Sequence, residues 1–446
     1  MTAYLPDTGA AWSQITIPDA PRRTMLGYLL VPRPKDLMKG LIVPLAFVLG
    51  ALAAGGTSSE QVLRALLVWA ALELLVYPAR YQWNDVRGFV ADQQHPNAPD
   101  RGRLPGPLGR ARERVLASCA VALARLATVA GLALALPTLH LGGVLAAVTT
   151  AVFGVAVVYE ALRVRATGRT DRVPPPLRPA LVALWLVVGA GYAVRGVTGL
   201  ALAVNLATQP LLGAAAVVTL WSFGVAFVSA RWSLEALAFA RLEGRRVVWQ
   251  ASSEQAREHS LALARWLPTA IPRQDLPHVT GRQAADWPAL RGRTRASAPW
   301  NVAILLAGTF AALTGRLLTG PSPASGTLVA VASGAVTAAA VLVAPRQRGL
   351  AVLLSAAVLV GVFTASGAAR PAVAVLPWIA VLGAHVVGTR QCLRSMGRPL
   401  RHVDRLLRTV LASVGCVVVG RATWAAVTAP TEEQAAGSRS GDRIGR

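Results

Sequence analysis

The chain has 446 residues, of which 54% are apolar and only 15% are charged. A soluble domain carries about a quarter charged residues, so this composition argues against a soluble globular protein. Lys and Arg outnumber Asp and Glu by 45 to 21. Because the basic residues fall in short stretches between long apolar runs, we interpret the excess as anchoring to an anionic lipid bilayer, and we expect no nucleic-acid partner.

The apolar runs predict about eleven transmembrane helices and therefore an all-α, polytopic membrane protein. Roughly 20 apolar residues are needed for a helix to cross the hydrocarbon core. Six runs form an N-terminal block near 41–56, 61–80, 114–137, 141–161, 179–194 and 208–230. Five more form a C-terminal block near 301–319, 327–344, 350–367, 372–389 and 405–428.

The charges of the loops predict the orientation. The loops 81–113, 162–178, 231–300, 345–349 and 390–404 carry arginines, whereas the intervening loops hold few charges. The positive-inside rule therefore places the basic loops and the N-terminus in the cytoplasm, for a multi-pass protein of the plasma (inner) membrane. The high Ala, Arg, Val and Gly content points to a GC-rich, bacterial source.

These patterns divide the chain into five parts. We expect a cytoplasmic N-terminal segment at 1–40 and a transmembrane block at 41–230 whose loop 81–113 carries the chemistry. A cytoplasmic linker at 231–300 follows, either on the membrane surface or solvated. The second transmembrane block covers 301–428, and the polar tail 429–446 has the composition of a disordered segment.

The most informative polar residues lie at the end of the second apolar run. Asn84, Gly88 and Asp92 are spaced i, i+4, i+8 and share one helical face, with Asp85 close to it. Carboxylates at a span end are costly unless they face a cavity or bind something. Such oxygen ligands suit Mg²⁺ bridged to substrate phosphates, and Arg101 and Arg103 follow as candidate phosphate partners. The spacing alone is equally compatible with a hydrated pair of aspartates.

This stretch resembles the first aspartate motif of the UbiA superfamily of intramembrane prenyltransferases, Asn-Asp-x-x-Asp-x-x-x-Asp. Asn84, Asp85 and Asp92 match its first, second and last fixed positions. Within that superfamily the chain is most similar to the decaprenyl-phosphate phosphoribosyltransferases. That similarity follows the same order over roughly residues 30–240, in the segments 33–39, 95–96, 159–163, 191–196 and 222–235.

The chain departs from the family pattern in two places. Gly88 stands where the motif has its middle Asp, so one carboxylate is missing. A clear second Asp-x-x-x-Asp motif is also missing. The nearest acidic candidates are Glu235 and Glu243, which would share one face of a helix with Arg231. An interfacial Arg–Glu pair explains the same spacing equally well.

The resemblance implies a UbiA-like helical bundle with additional C-terminal helices and a Mg²⁺-dependent transferase activity. Its substrates would be an isoprenoid diphosphate or a polyprenyl phosphate. The catalytic and metal-side residues would be Asn84, Asp85 and Asp92, with Glu235 and Glu243 as further metal ligands. Phosphate contacts would come from Lys39, Arg101, Arg103, Arg163 and Arg231.

Several functions stay open at this point. The reaction could be prenyl transfer, phosphoribosyl transfer to a polyprenyl phosphate, or an internal cyclisation of the terpene-cyclase type. The missing carboxylates also allow a catalytically degenerate protein that only binds lipid. A transporter is disfavoured because the two blocks show no internal repeat.

Overall fold

The computed structural model describes residues 24–31, 36, 39–93, 102–254, 256–270, 294–344, 347–389, 406, 409–410, 412–414, 416–418 and 420–428. Within these ranges the regular secondary structure is helical, apart from one antiparallel hairpin of strands β1 (Ala240–Glu243) and β2 (Arg246–Trp249) and an isolated bridge from Arg246 to Ala270. The helices, in chain order, are α1 (Met25–Leu30), α2 (Ile42–Ala54), α3 (Ser59–Arg87), α4 (Phe89–Gln93), α5 (Ala111–Ala135), α6 (Leu141–Val164), α7 (Pro179–Ala203), α8 (Pro210–Ala236), α9 (Glu258–Leu261), α10 (Pro299–Leu318), α11 (Ala324–Val343), α12 (Arg348–Ala365), α13 (Pro371–Thr389) and α14 (Arg421–Thr428).

Nine helices in the described part of the chain are long and apolar enough to cross a membrane: α3, α5 to α8, and α10 to α13. The prediction of an all-α, polytopic membrane protein is therefore confirmed, although the count of eleven is not. The first expected span, 41–56, contains the 13-residue helix α2. At 1.5 Å per residue, α2 is about 20 Å long and shorter than the roughly 30 Å hydrocarbon core. The last expected span, 405–428, is described only in part.

Helix α3 is longer than its apolar run predicts. It begins with a capping box in which Ser58 Oγ accepts from the Gln61 amide and Gln61 Oε1 accepts from the Ser58 amide. Such reciprocal bonds satisfy amide groups that a helix start otherwise leaves without partners. One π-helical stretch, Ala71–Val76, interrupts the α-helix, which then continues to Arg87. Asn84 and Asp85 are consequently part of a continuous helix rather than of a loop.

The two transmembrane blocks share one core. Helix α8 packs against α7 on one side and α10 on the other. The hydroxyl oxygens of Thr219 on α8 and Thr314 on α10 are 3.0 Å apart. At the far end of the bundle, Arg370 donates to the carbonyl oxygens of Leu52 and Ala53, which close helix α2. The C-terminal helices are thus packed into the same bundle as the N-terminal ones.

The described parts of the expected linker 231–300 are 231–254, 256–270 and 294–300, and the first two are folded onto the bundle. Helix α8 ends at Ala236, and a 3₁₀ turn, the β-hairpin and α9 follow. We call the described residues 237–254 and 256–270 the cap. Glu258 and His259 of the cap are at most 2% exposed. Trp185 Nε1 donates to the carbonyl oxygen of His259 over 2.7 Å, which ties the cap to α7. Residues 271–293 and the tail 429–446 lie outside the described residues.

Candidate functional site

A cavity of about 160 Å³ lies among α3, α6, α7 and α8. Its wall combines aromatic and aliphatic side chains with seven charged ones. The cations outnumber the acids by five to two, so the cavity favours an anion. The charged residues that line it are Asp36, Lys39, Arg80, Arg103, Arg195, Arg231 and Glu235.

The two predicted aspartates lie together beside this cavity, and both face arginines. Asp85 is 1% exposed and pairs with Arg103. Asp92 is 3% exposed and accepts from Arg257 Nη2 over 2.6 Å, and its Oδ2 is 3.8 Å from Arg103 Nε. Burial opposes the charge of Arg103, but the two carboxylates raise its pKa well above the ordinary value, so this guanidinium stays protonated.

Asn84 is held by an arginine as well. Arg163 Nη1 donates to Asn84 Oδ1 over 2.9 Å, and Arg163 Nη2 is 2.7 Å from Glu160 Oε2. The same Glu160 oxygen lies 3.1 Å from Arg87 Nε. Two residues that the sequence analysis assigned to different roles, Asn84 and Arg163, are thus in contact, and Asn84 also lines the cavity. Buried Glu160 was not singled out from the sequence, because a single acid in an apolar run has no motif to mark it.

Gly88 occupies the position at which the family motif has its middle Asp. A Cβ atom built on Gly88 would lie 3.2 Å from Asp92 Oδ2 and 3.6 Å from Arg163 Nη1. A side chain at this position would therefore enter the space between a carboxylate and a guanidinium. In this chain Arg163 therefore lies next to the space that the middle Asp of the motif would fill.

The second predicted acidic pair is separated in the structure. Glu235 lines the cavity with Arg231, whose Nε is 3.4 Å from Glu235 Oε1. Glu243 lies on β1, where it is exposed and pairs with Arg241. The prediction that Glu235 and Glu243 share a helical face is wrong, because α8 ends at Ala236 and the chain turns into the hairpin. Glu243 is not among the residues that line the cavity.

Two further cations line the cavity near its aromatic wall. Lys39 Nζ is 3.0 Å from Asp36 Oδ1 and 5.5 Å from the centroid of the Tyr81 ring. Arg80, which the sequence analysis did not single out, lies 5.2 Å from the Tyr81 centroid and 5.5 Å from that of Tyr159. No carboxylate of the described chain lies within ion-pair distance of Arg80. The predicted phosphate contact Arg101 lies outside the described residues.

A buried ion pair closes the other end of the cavity. Arg195 is 2% exposed and binds Glu73 through two hydrogen bonds, of 2.7 Å from Nε and 3.1 Å from Nη2. Its guanidinium carbon is 3.2 Å from the Tyr77 ring centroid, and Tyr77 donates to the Gly191 carbonyl oxygen over 2.9 Å. Glu73 precedes Asn84 by eleven residues, or about 16 Å of helix. The cavity is therefore polar at both ends.

The contacts of the carboxylates do not fit the predicted Mg²⁺ site. Among the described residues, no group of three His, Cys, Asp or Glu side chains is placed to hold a metal ion. Mg²⁺ requires near-octahedral oxygen ligands, whereas Asp85 and Asp92 here face guanidinium groups. In this arrangement both aspartates bind arginines.

No family model, no curated protein and no solved structure matches this chain. The resemblance to the UbiA superfamily therefore stays a prediction that rests on the sequence motifs.

Proposed function

We propose that this protein is a UbiA-like membrane transferase whose isoprenoid substrate carries a phosphate or diphosphate head group. In this proposal it is a plasma-membrane protein with a cytoplasmic N-terminus, in which the Arg87 end of α3 faces the cytoplasm. One observation carries the proposal. A single cavity joins an excess of cationic side chains to an apolar, aromatic wall, and this combination matches an amphipathic lipid with an anionic head.

The head group would be bound by Arg103 and Arg231 at one end, with Lys39 and Arg80 beside the aromatic wall. Arginine matches phosphate oxygens through two parallel hydrogen bonds, and lysine contributes a point charge. The isoprenoid chain would lie along the apolar residues of the wall, which are Val152, Val155, Val188, Phe227 and Val228.

The chemistry follows from the charge of the leaving group. In prenyl transfer, the bond between the allylic carbon and the diphosphate oxygen breaks and both electrons stay on the diphosphate. A nucleophilic atom of the acceptor then bonds to the allylic carbon and gives up a proton. In phosphoribosyl transfer, an oxygen of a polyprenyl phosphate attacks the sugar carbon and diphosphate departs. In either reaction the fixed guanidinium groups stabilise the developing negative charge, which is the contribution expected of preorganised cations. No step requires the predicted Mg²⁺.

The proposal is tested with the purified full-length protein in lipid nanodiscs. It is incubated with a panel of allylic diphosphates, and separately with phosphoribosyl diphosphate and a polyprenyl phosphate, each with and without Mg²⁺. We expect diphosphate release from one donor class, a strong decrease in Arg103→Gln, and unchanged release in Arg241→Gln, whose arginine lies in the hairpin. Failure of folded protein to release diphosphate from any donor contradicts a transferase.

The pairing of Asp85 and Asp92 with arginines favours a second candidate, a lipid-binding protein without turnover. A lipid-binding protein would use the same cavity and the same head-group contacts as the proposed transferase. The same experiment separates the two, because this candidate binds the isoprenoid phosphate and releases no diphosphate.

A further inference from the structure

Three arginines from distant parts of the chain meet at the end of α3. Arg103 comes from the segment before α5, Arg163 from the last turn of α6, and Arg257 from the cap. Their partners are Asp85, Asn84 and Asp92, the residues that match the metal-binding motif. Guanidinium groups thus contact the side chains that the motif would use as metal ligands.

This cluster carries a net positive charge. Its carboxylates are Asp85, Asp92 and Glu160. Facing them are four guanidinium groups, an excess of one positive charge, from Arg87, Arg103, Arg163 and Arg257. A divalent cation placed among them would add two positive charges next to fixed guanidinium groups. Repulsion by those groups would disfavour such a cation, and any arginine that it displaced would lose a charged partner.

One arginine of the cluster connects it to the cavity. Arg103 contacts both Asp85 and Asp92 and also lines the cavity wall. A flexible arginine loses side-chain entropy when it binds a ligand, and a pre-positioned one has already lost it on folding. The two aspartates therefore act as positioning residues for a cation that faces the substrate.

We propose that this site uses arginine in place of metal: Asp85 and Asp92 position Arg103, with Arg257 as the second cation on Asp92, so that the cavity binds a diphosphate head group without Mg²⁺. This inference takes its ligand from the proposed function, whereas the replacement of metal by arginine does not depend on that function. Gly88 agrees with it, because a third carboxylate at this position would enter the space beside Arg163 and restore a metal-like acidic cluster.

Binding is measured by calorimetry on the full-length protein in nanodiscs, with inorganic diphosphate and with farnesyl thiodiphosphate as probes. Each titration is run with excess EDTA and again with Mg²⁺. We expect dissociation constants that agree within about threefold, whereas disturbing a true metal site typically costs about 10–100-fold in affinity or activity. Bound Mn²⁺ is followed separately by electron paramagnetic resonance, and we expect none at Asp85 or Asp92.

Variants identify which cationic side chain binds the diphosphate probes. Arg103→Gln removes a charge-assisted hydrogen bond to the ligand, so we expect affinity to fall about 10- to 100-fold in both EDTA and Mg²⁺. Arg103→Lys keeps the charge and is expected to regain part of the loss. Asp85→Asn, which leaves Arg103 charged but less well held, is expected to weaken binding less than Arg103→Gln. Arg241→Gln serves as the matched control and is expected to bind as the unmodified protein does.

The outcomes separate the two proposals. Binding that disappears in EDTA, together with bound Mn²⁺ that is lost in Asp85→Asn, overturns the inference and leaves the transferase proposal intact. Absence of binding to both probes under all conditions argues against the proposed function, while the Mn²⁺ measurement still decides whether the aspartates hold metal. Size-exclusion profiles and thermal unfolding of each variant establish that it is folded.

Discussion

Arg195 and Glu73 form a two-bond ion pair between helices α7 and α3, with distances of 2.7 and 3.1 Å, and both side chains are almost fully buried. The pair lies in the apolar parts of both helices, where ionisable residues are expensive and usually functional. The pair closes one end of the cavity and holds the π-helical stretch of α3 against α7. It therefore links the shape of the cavity to the stability of the bundle.

Breaking this pair is expected to destabilise the protein strongly. Glu73→Ala leaves Arg195 as a buried, unpaired charge, and removal of one partner of such a pair costs about 3–5 kcal/mol. The double variant Glu73→Ala/Arg195→Met removes both charges and is expected to cost less than Glu73→Ala alone. The free energy of unfolding is measured in mixed micelles for the single and the double variant. Glu60→Ala, at the exposed start of α3, is the control and is expected to change stability by less than about 1 kcal/mol.

Close packing between α10 and α13 depends on Gly315. A Cβ atom at this position would collide with the carbonyl oxygen of Ala374 and would lie 3.2 Å from Pro377 Cδ. Because backbone must move to admit a methyl group, Gly315→Ala is expected to cost about 1–3 kcal/mol of unfolding free energy. Gly361→Ala is the matched control, since no atom lies within 4 Å of its Cβ. That variant is expected to be neutral or slightly stabilising, and equal losses in both variants would contradict the packing argument.

The stability of the cap is expected to decrease at acid pH because of His259. Burial, the nearby Arg257 and, to a smaller extent, Arg163 lower the pKa of His259 from 6.5 to about 3, against the opposing effects of the Ala166 carbonyl and Glu235. Between these two pH values the unfolded chain binds a proton that the folded chain does not. Stability is therefore lost as pH falls below about 6.5, by about 1.4 kcal/mol per pH unit, and this group has no effect at higher pH.

Thermal unfolding of the unmodified protein and of His259→Gln between pH 7 and pH 4 tests this expectation. The variant is expected to show a smaller decrease in unfolding temperature across this range. Parallel pH profiles for the two proteins would show that His259 does not carry the dependence. The edge-on contact of His259 with Trp232, 4.7 Å between ring centroids, makes near-ultraviolet circular dichroism a convenient second signal.

Arg257 is expected to hold the cap in place over the end of α3. Its bond to Asp92 joins residues 165 positions apart, and both partners are largely buried. In Arg257→Gln we expect faster amide hydrogen exchange in residues 256–262, because local opening no longer breaks an ion pair. Arg241→Gln alters an exposed ion pair in the same cap and is expected to leave that exchange unchanged. Unaltered exchange in Arg257→Gln would mean that apolar packing alone fixes the cap.

Arg80 is expected to affect binding without supporting the fold. It stacks near the rings of Tyr81 and Tyr159 and has no carboxylate partner in the described chain. Arg80→Gln is expected to weaken binding of farnesyl thiodiphosphate about tenfold, while the free energy of unfolding changes by less than about 1 kcal/mol. If Arg80→Gln lost more free energy of unfolding than free energy of binding, Arg80 would instead be a residue that stabilises the fold.

The sequence predicts the helical bundle well because hydropathy alone reports membrane spans. It singles out Asp85, Asp92 and Arg103, but as metal ligands and a phosphate contact, and it does not predict the ion pairs between them. It could not place Arg257 beside Asp92, because a contact over 165 residues has no local pattern. The error at Glu243 has a similar cause: a helical spacing continues across the end of α8 in the sequence, but the structure turns at Ala236. Glu73 and Glu160 were detectable only as acids inside apolar runs.

The contact of Arg370 with the carbonyl oxygens of Leu52 and Ala53 has a consequence for biogenesis. These oxygens end a helix too short to span the bilayer, and helix ends leave carbonyl groups without internal partners. Their donor lies 318 residues later in the chain, so at ordinary rates of translation it leaves the ribosome about 15–60 seconds after them. The Leu52 oxygen also accepts from the Gly55 amide, whereas the Ala53 oxygen gains its donor only after one of the last helices has been made. Membrane insertion must therefore keep helix α2 near the growing bundle during that interval.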